Sequence, residues 1–219
     1  MAADTRNIIV HRLHDRALEA LAKQHFRGRL IDIGCGEKPY RKMLAPLVDE
    51  HVGVDHEATM HRRDAIDVFG TAYEIPFPDA SFDSALCTAV LEHLEEPEAA
   101  LRECFRVLRP GGYAIYSVPF IWHLHEEPRD FFRFTKHGLE YLLKKVGFDA
   151  VEVTPLSGFW TTFSTLAAYD LSRYQRGPLR WLRLVDGLTL AGQFVAHAFD
   201  RIDRQHQRTG MYIAVARKP

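Results

Sequence analysis

The sequence predicts an α/β fold built on a doubly wound parallel sheet, and three observations carry that prediction. First, Leu30-Ile31-Asp32-Ile33 runs as a short apolar strand into Gly34-Cys35-Gly36 and then Glu37-Lys38-Pro39-Tyr40. Glycine lacks a Cβ and can take positive φ, so a backbone turn of this kind can lie flat against a ligand, while Pro39 suits the first turn of a helix. Strand, glycine turn and helix together form the ligand-binding edge of such sheets. Second, strand-like and helix-like periodicities alternate along the following residues. Third, 219 residues with 47% apolar side chains are enough for one full core, with room for an appendage.

Composition narrows the classes further. A formal net charge of −1 gives no global basic field, so a nucleic-acid partner is not expected. The three cysteines, Cys35, Cys87 and Cys104, are too widely spaced for a metal knuckle and read as reduced thiols of a cytoplasmic protein. Cys35, inside the glycine turn, reads as a small filler. The N-terminus carries no signal-like apolar region, and no run reaches the roughly 20 apolar residues of a membrane span. Neither internal repeats nor low-complexity segments appear.

In chain order, residues 7 to 26 read as an amphipathic helix with Val10, Leu13, Ala17 and Leu21 on its apolar stripe. Its expected task is to pack over the sheet, and its histidines, His11 and His14, together with His25, read as solvated. Strand 1 is expected at Arg29 to Ile33 and a helix from Pro39 to Leu47. Strand 2 is His51 to Val54, with Asp55 at its tip. A carboxylate about 20 residues past the first glycine is placed to accept hydrogen bonds from both hydroxyls of a ribose. A short strand 3 near Ala65 to Val68 leads into a loop from Gly70, and Pro78-Asp79-Ala80-Ser81 is turn chemistry. Strand 4 is Ser84 to Thr88. Pro97 opens a helix from Glu98 to Leu108 that Arg109-Pro110-Gly111-Gly112 stops. Strand 5 is Tyr113 to Val118.

These segments, taken in order, carry a resemblance. Asp32 to Gly36, Val54-Asp55, Ala72 to Phe82, Val90-Leu91-Glu92-His93-Leu94 and Val107 to Gly112 resemble the ordered motifs of class I S-adenosylmethionine-dependent methyltransferases of the small-molecule, type 11 kind. The resemblance covers about residues 27 to 155. It implies a Rossmann-like seven-stranded sheet with strand 7 antiparallel, and S-adenosyl-L-methionine as cofactor across the strand tips. By the same resemblance Asp32, Gly34, Cys35 and Gly36 lie against the methionine part, Asp55 and His56 hold the ribose side, Thr71 and Ala72 flank the adenine, and Thr88 stands beside the methyl group. Two departures are visible: Thr71 stands where the family often has Asp, and Lys38 stands near the place of the usual third glycine. His93 reads as a structural part of its turn.

The stretch after strand 5, Phe120 to Thr135, gathers two histidines and five aromatic residues just past a strand tip, where functional loops collect. His125 is the first choice of general base and His123 the second, because imidazole titrates near neutrality. Asp130 is the residue to orient the imidazole. Trp122, Arg129, Arg133 and Trp160 are expected to meet the substrate, the arginines by holding an anionic group. The competing reading is an ordered loop in which Arg129 and Asp130 only brace backbone, with catalysis by positioning alone. His123-x-His125 with Glu126 also offers metal-ligand chemistry, but lacks further ligands at the usual spacing, so no metal is expected.

Thr135 caps a helix to about Val146, and strand 6 is Ala150 to Thr154. About fifty residues then precede strand 7, Met211 to Ala216. They read as helices over Trp160 to Tyr174 and Leu179 to His206, separated by Gly177-Pro178 and broken or bent near Gly192. The expected organisation is therefore an N-terminal helix at 1–26, a core of 27–155 with 209–219, and a helical insertion at 156–208. That insertion suits a lid over a lipid-like substrate, a homodimer contact or a membrane-surface contact, the last through Arg173, Arg176, Arg180 and Arg183 beside Trp160 and Trp181. The expected function is methyl transfer to a small hydrophobic or amphiphilic acceptor, oxygen ahead of nitrogen or carbon. The rival readings are a non-catalytic module that binds the same cofactor, and a nicotinamide oxidoreductase, which predicts a third glycine that is missing.

Overall fold

The chain was analysed as a computed structural model that describes residues 5–59, 62–174, 184–203 and 205–219. Seven strands form one sheet: β1 (Arg29–Ile33), β2 (Glu50–Asp55), β3 (Val68–Phe69), β4 (Phe82–Thr88), β5 (Leu108–Pro119), β6 (Asp149–Pro155) and β7 (Met211–Arg217). Their spatial order is β3-β2-β1-β4-β5-β7-β6. The first five pair in parallel, and β7 runs antiparallel between β5 and β6. The strand order reverses between β1 and β4, so ligands are expected at the carboxyl ends of these two strands.

Side-chain alternation builds two cores. On one face Leu30, Leu86, Ile115 and Ile213 meet Leu18 and Ala22 of α1 (Ile8–His25) and Leu44 of α2 (Arg41–Leu44). On the other, Ile31, Ala85, Ala114 and Ala214 pack with Leu101 of α3 (Pro97–Val107) and Leu139 of α4 (Lys136–Val146). Helix α4 has its start and stop written locally: Thr135 Oγ1 accepts from the Gly138 amide at 3.0 Å, and Gly147 takes φ of 120° at the C-terminus.

Several expected boundaries move. The helix after the glycine turn is a single turn, Arg41–Leu44, because Lys38 takes a left-handed φ of 49° and starts it late. Strand β5 begins directly at Leu108, without the loop expected at Arg109 to Gly112, because Gly111 and Gly112 pair with Lys218 of the C-terminal segment. The buried stripe of α1 is Ile9, Val10, His14, Leu18 and Ala22. It is rotated about one residue from the expected stripe, since Leu13, Ala17 and Leu21 are only half-buried. His14 is therefore in the core rather than in solvent, with Nε2 3.0 Å from Ser117 Oγ.

The insertion contributes α5 (Phe159–Ser172) and α6 (Leu184–Asp203), which pack on each other and on α1. Helix α6 runs unbroken through Gly192. Arg176, Gly177, Pro178, Leu179, Arg180, Trp181 and Arg183 lie outside the described residues, so the expected break there and the arginine cluster are not described. Asp200 of α6 caps α5 from outside: its carboxylate accepts from the amides of Gly158, Trp160 and Thr161 at 2.9–3.1 Å. Among the described residues no helix is long and apolar enough to cross a membrane.

Candidate functional site

The carboxyl edge of β1, β2 and β4 forms a cradle. The amides of Gly34 and Cys35 both donate to the Val54 carbonyl, at 2.9 and 3.2 Å, folding the turn after β1 over the end of β2. Gly34 has φ of 70°, and a Cβ there would stand 2.4 Å from Val90 Cγ2 of the loop after β4, so only glycine fits. Asp55 closes the other side. Its Oδ2 accepts from the Gly36 amide at 2.8 Å and its Oδ1 from the His56 amide at 2.7 Å. Each carboxylate oxygen offers about two acceptor positions. Two therefore stay free on a half-buried side chain, which suits a ribose diol.

The remaining cradle residues divide. Asp32 lies on the α1 face, 2% exposed, with His51 Nε2 3.0 Å from its Oδ2. It braces the floor below the turn. Cys35 is buried, and burial reinforced by Asp32 and Asp55 pushes its thiol up to about 12. It stays protonated and fills space, as its position suggests. His56 is exposed, and its Nδ1 accepts from the Ala58 amide at 2.9 Å. Thr71 Oγ1 accepts from the Glu74 amide at 3.0 Å, which sets the turn that carries Ala72; Ala72 packs on the core. Thr88 is half-buried at the tip of β4, in register with Ser117. Lys38 stands near the place of the usual third glycine. Its ammonium reaches under β2 to Asp67 and to the His51 carbonyl, and its chain lies where a Cβ on Gly53 would come within 2.2 Å of Lys38 Cε.

The loop after β5 meets α5 around a cavity of about 480 Å³ lined by Ile121, Trp122, His123, Leu166, Tyr169, Asp170 and Arg173. Trp122 stacks on His123 at 5.3 Å, and the His123 and Tyr169 rings lie 4.3 Å apart. The Tyr169 hydroxyl accepts from Asn7 Nδ2 at 2.8 Å, so the segment before α1 also reaches this wall. Burial, with the nearby His125 and Arg133, lowers the pKa of His123. It is neutral at pH 7 and has a lone pair to offer.

Of the residues expected to carry chemistry here, the fold brings Trp122 and His123 to the cavity and turns others away. Arg133 is not free to hold an anion. Its guanidinium grips Asp130 through two bonds of 2.6 and 2.7 Å and donates to the His123 carbonyl at 2.9 Å. That grip holds the Asp130 carboxylate far below the usual range, and Asp130 also accepts from the His125 amide at 2.9 Å. The pair fixes the loop backbone; the brace reading names Arg129 with Asp130, and the structure puts Arg133 in that place. Arg129 is exposed; its carbonyl takes the ring Nδ1 of His93. Trp160 is not at the cavity: its ring lies tilted against Phe199 of α6 at 5.6 Å, with its Nε1 3.3 Å from Asp203. His125 does not line the cavity and stands edge-on to His93 at 4.8 Å.

Tyr169, Asn7 and Glu92 escape sequence reasoning. The first two meet across 162 positions, which no local pattern reveals. Glu92 was visible as an acid within the apolar run Val90 to Leu94, an unusual place for one. It is fully buried, and burial pushes its carboxyl up to about 8.

Comparison with known proteins gives four findings. A methyltransferase domain family matches residues 31–116. A probable S-adenosylmethionine-dependent methyltransferase of Mycolicibacterium smegmatis is 35% identical over 114 residues, 49% of this chain and 44% of that protein. The chain thus spans less than half the length of that relative. An O-methyltransferase of Aspergillus nomiae is 28% identical over 177 residues, 70% of this chain and 78% of that protein. Among solved structures, an S-adenosylmethionine-dependent methyltransferase of Thermotoga maritima matches with a TM-score of 0.62 at 19% identity, covering 98% of this chain and 94% of that one. At that identity the likeness is one of fold.

Proposed function

We propose that the chain is a class I S-adenosylmethionine-dependent methyltransferase, a reading supported by the methyltransferase domain match and the mycobacterial relative, and that it methylates a small hydrophobic or amphiphilic acceptor, at oxygen. The observation that carries this reading is the pairing of the Gly34–Asp55 cradle with the aromatic cavity beyond β5. The cofactor, when bound, supplies an electrophilic methyl group. The chain supplies the rest. Asp55 receives the ribose hydroxyls, the Gly34 turn lets the backbone approach the amino-acid part, and Thr88 borders the methyl side.

Trp122, Tyr169 and Leu166 suit an apolar acceptor body, and the Asp170–Arg173 pair at the rim suits a polar tail. His123, neutral and facing the cavity, is the residue we assign to take the proton of the acceptor hydroxyl. It moves ahead of His125 because it lines the cavity. The Aspergillus relative, an O-methyltransferase, favours oxygen over nitrogen or carbon. The exposed apolar side chains of α5 and α6, Phe163, Leu188, Phe199 and Ile202 among them, fit a contact with a second copy or with a membrane surface from the cytoplasmic side.

Calorimetry with S-adenosylmethionine tests the cofactor half. Asp55→Ala should weaken binding by on the order of 2–4 kcal/mol, since two hydrogen bonds to a charged acceptor are lost. A panel of hydroxylated amphiphiles tests the acceptor half, with His123→Gln expected to lower kcat about 100-fold while leaving KM within a few-fold. Cofactor binding without turnover on any acceptor would favour the non-catalytic module instead.

A further inference from the structure

Beside the acceptor cavity, side chains from two separate segments converge. Glu92 and His93 lie in the one-turn helix Leu91–His93 that leaves β4, and His125 lies in the loop after β5. One oxygen of Glu92 and one ring nitrogen of each histidine all lie within 4.8 Å of one another. We propose that Glu92, His93 and His125 form a binding site for a divalent zinc ion.

Three features of this cluster point to a cation. His93 directs Nδ1 at the Arg129 carbonyl, which accepts only, so Nδ1 donates there and Nε2 is the ring nitrogen turned toward the cluster. Nε2 lies 3.9 Å from Glu92 Oε1 and 3.7 Å from Glu126 Oε2, with no direct hydrogen bond at either distance. Next, Glu92 is fully buried and neither of its oxygens has a hydrogen-bond partner. Such a group is costly as an isolated acceptor, and a metal ion would satisfy it. Finally, His125 is held from behind: Asp130 accepts from its main-chain amide and stands 3.3 Å from its Nδ1, while Arg133 locks Asp130. Ligands of this kind are commonly oriented by such outer partners.

Two imidazoles and one carboxylate are the donor set of many zinc sites that keep an open fourth position. Ligand atoms around a tetrahedral zinc ion are roughly 3.4 Å apart, so small side-chain rotations close the site from the observed spacing. Magnesium, which takes oxygen ligands in an octahedron, fits poorly. The sequence pairs His125 with His123 and Glu126; the fold pairs it with Glu92 and His93.

The test is zinc uptake by the full-length, tag-free protein after chelator treatment. Zinc chloride would be titrated in a calorimeter, and cobalt would be used as a spectroscopic probe of coordination by nitrogen and oxygen. The expected result is one equivalent of zinc, with affinity lowered at least about tenfold in both His93→Gln and His125→Gln. His137→Gln, an exposed histidine on α4, should bind as the wild type does, and circular dichroism should report all variants folded. If Glu92→Gln fails to fold, the two histidine variants still decide. Absence of zinc uptake, or uptake unchanged in both variants, overturns the proposal. Because the readout needs neither cofactor nor acceptor, its failure is separable from failure of the methyl-transfer reading.

Discussion

At the scale of single residues, the site depends on side chains that hold other parts in place. Asp130 is the clearest case. Its carboxylate is 1% exposed, grips Arg133 and fixes the His125 amide, and its pKa is lowered chiefly by Arg133. A carboxyl whose folded pKa lies below its unfolded value contributes stability above about pH 4, and loses that contribution as pH falls toward the folded value. Asp130→Asn should therefore cost about 2 kcal/mol at pH 7, and the gap from wild type should narrow below about pH 4. Urea unfolding at pH 7 and pH 3 measures it; an equal gap at both values would refute the ionic account. Lys38 is a second case, a buried ammonium that ties the turn after β1 to Asp67 and the His51 carbonyl.

At the scale of elements, the insertion is tied to itself and to the core by buried polar caps. Helix α5 begins at Gly158 without a cap of its own, and Asp200 of α6 supplies one through three amides. A Cβ on Gly158 would stand 2.4 Å from Asp200 Oδ1, so the two residues are matched. Removing the cap in Asp200→Ala should cost about 2–3 kcal/mol, comparable to a strong N-cap with a charged acceptor. The loss should appear as faster hydrogen exchange in α5 and α6, with the sheet amides little changed. Uniform acceleration across the sheet would instead mean that insertion and core unfold as one unit. The cavity wall formed by Tyr169 depends on this cap, because it places α5.

For the whole molecule, a ligand that binds only the folded state raises the melting temperature by mass action. At about 100 times its dissociation constant, S-adenosylmethionine should add roughly 2.7 kcal/mol, which is about 5–10 °C for a domain of this size. Gly34→Ala should remove most of that shift, since its Cβ would collide with Val90 and close the cradle. A scan in which both proteins shift equally would place the cofactor elsewhere.

The sequence by itself determined the sheet and its cradle, because those signals are local. A strand, a turn that tolerates only glycine and an acid at the next strand tip lie within about 25 residues, and each is dictated by backbone sterics or hydrogen-bond valence. Helix α4 was legible for the same reason, through Thr135 and Gly147. Which loop side chains face the acceptor was decided only by the tertiary structure. His123 and His125 are two residues apart and chemically identical, and their roles separate because the loop bends around Asp130 and Arg133. The same holds for Trp160, which meets Phe199 of α6, and for Glu92, whose main-chain carbonyl accepts from the amides of Phe131 and Phe132 some forty residues on. Burial and long-range contact set these environments, and neither is written in the spacing of the chain.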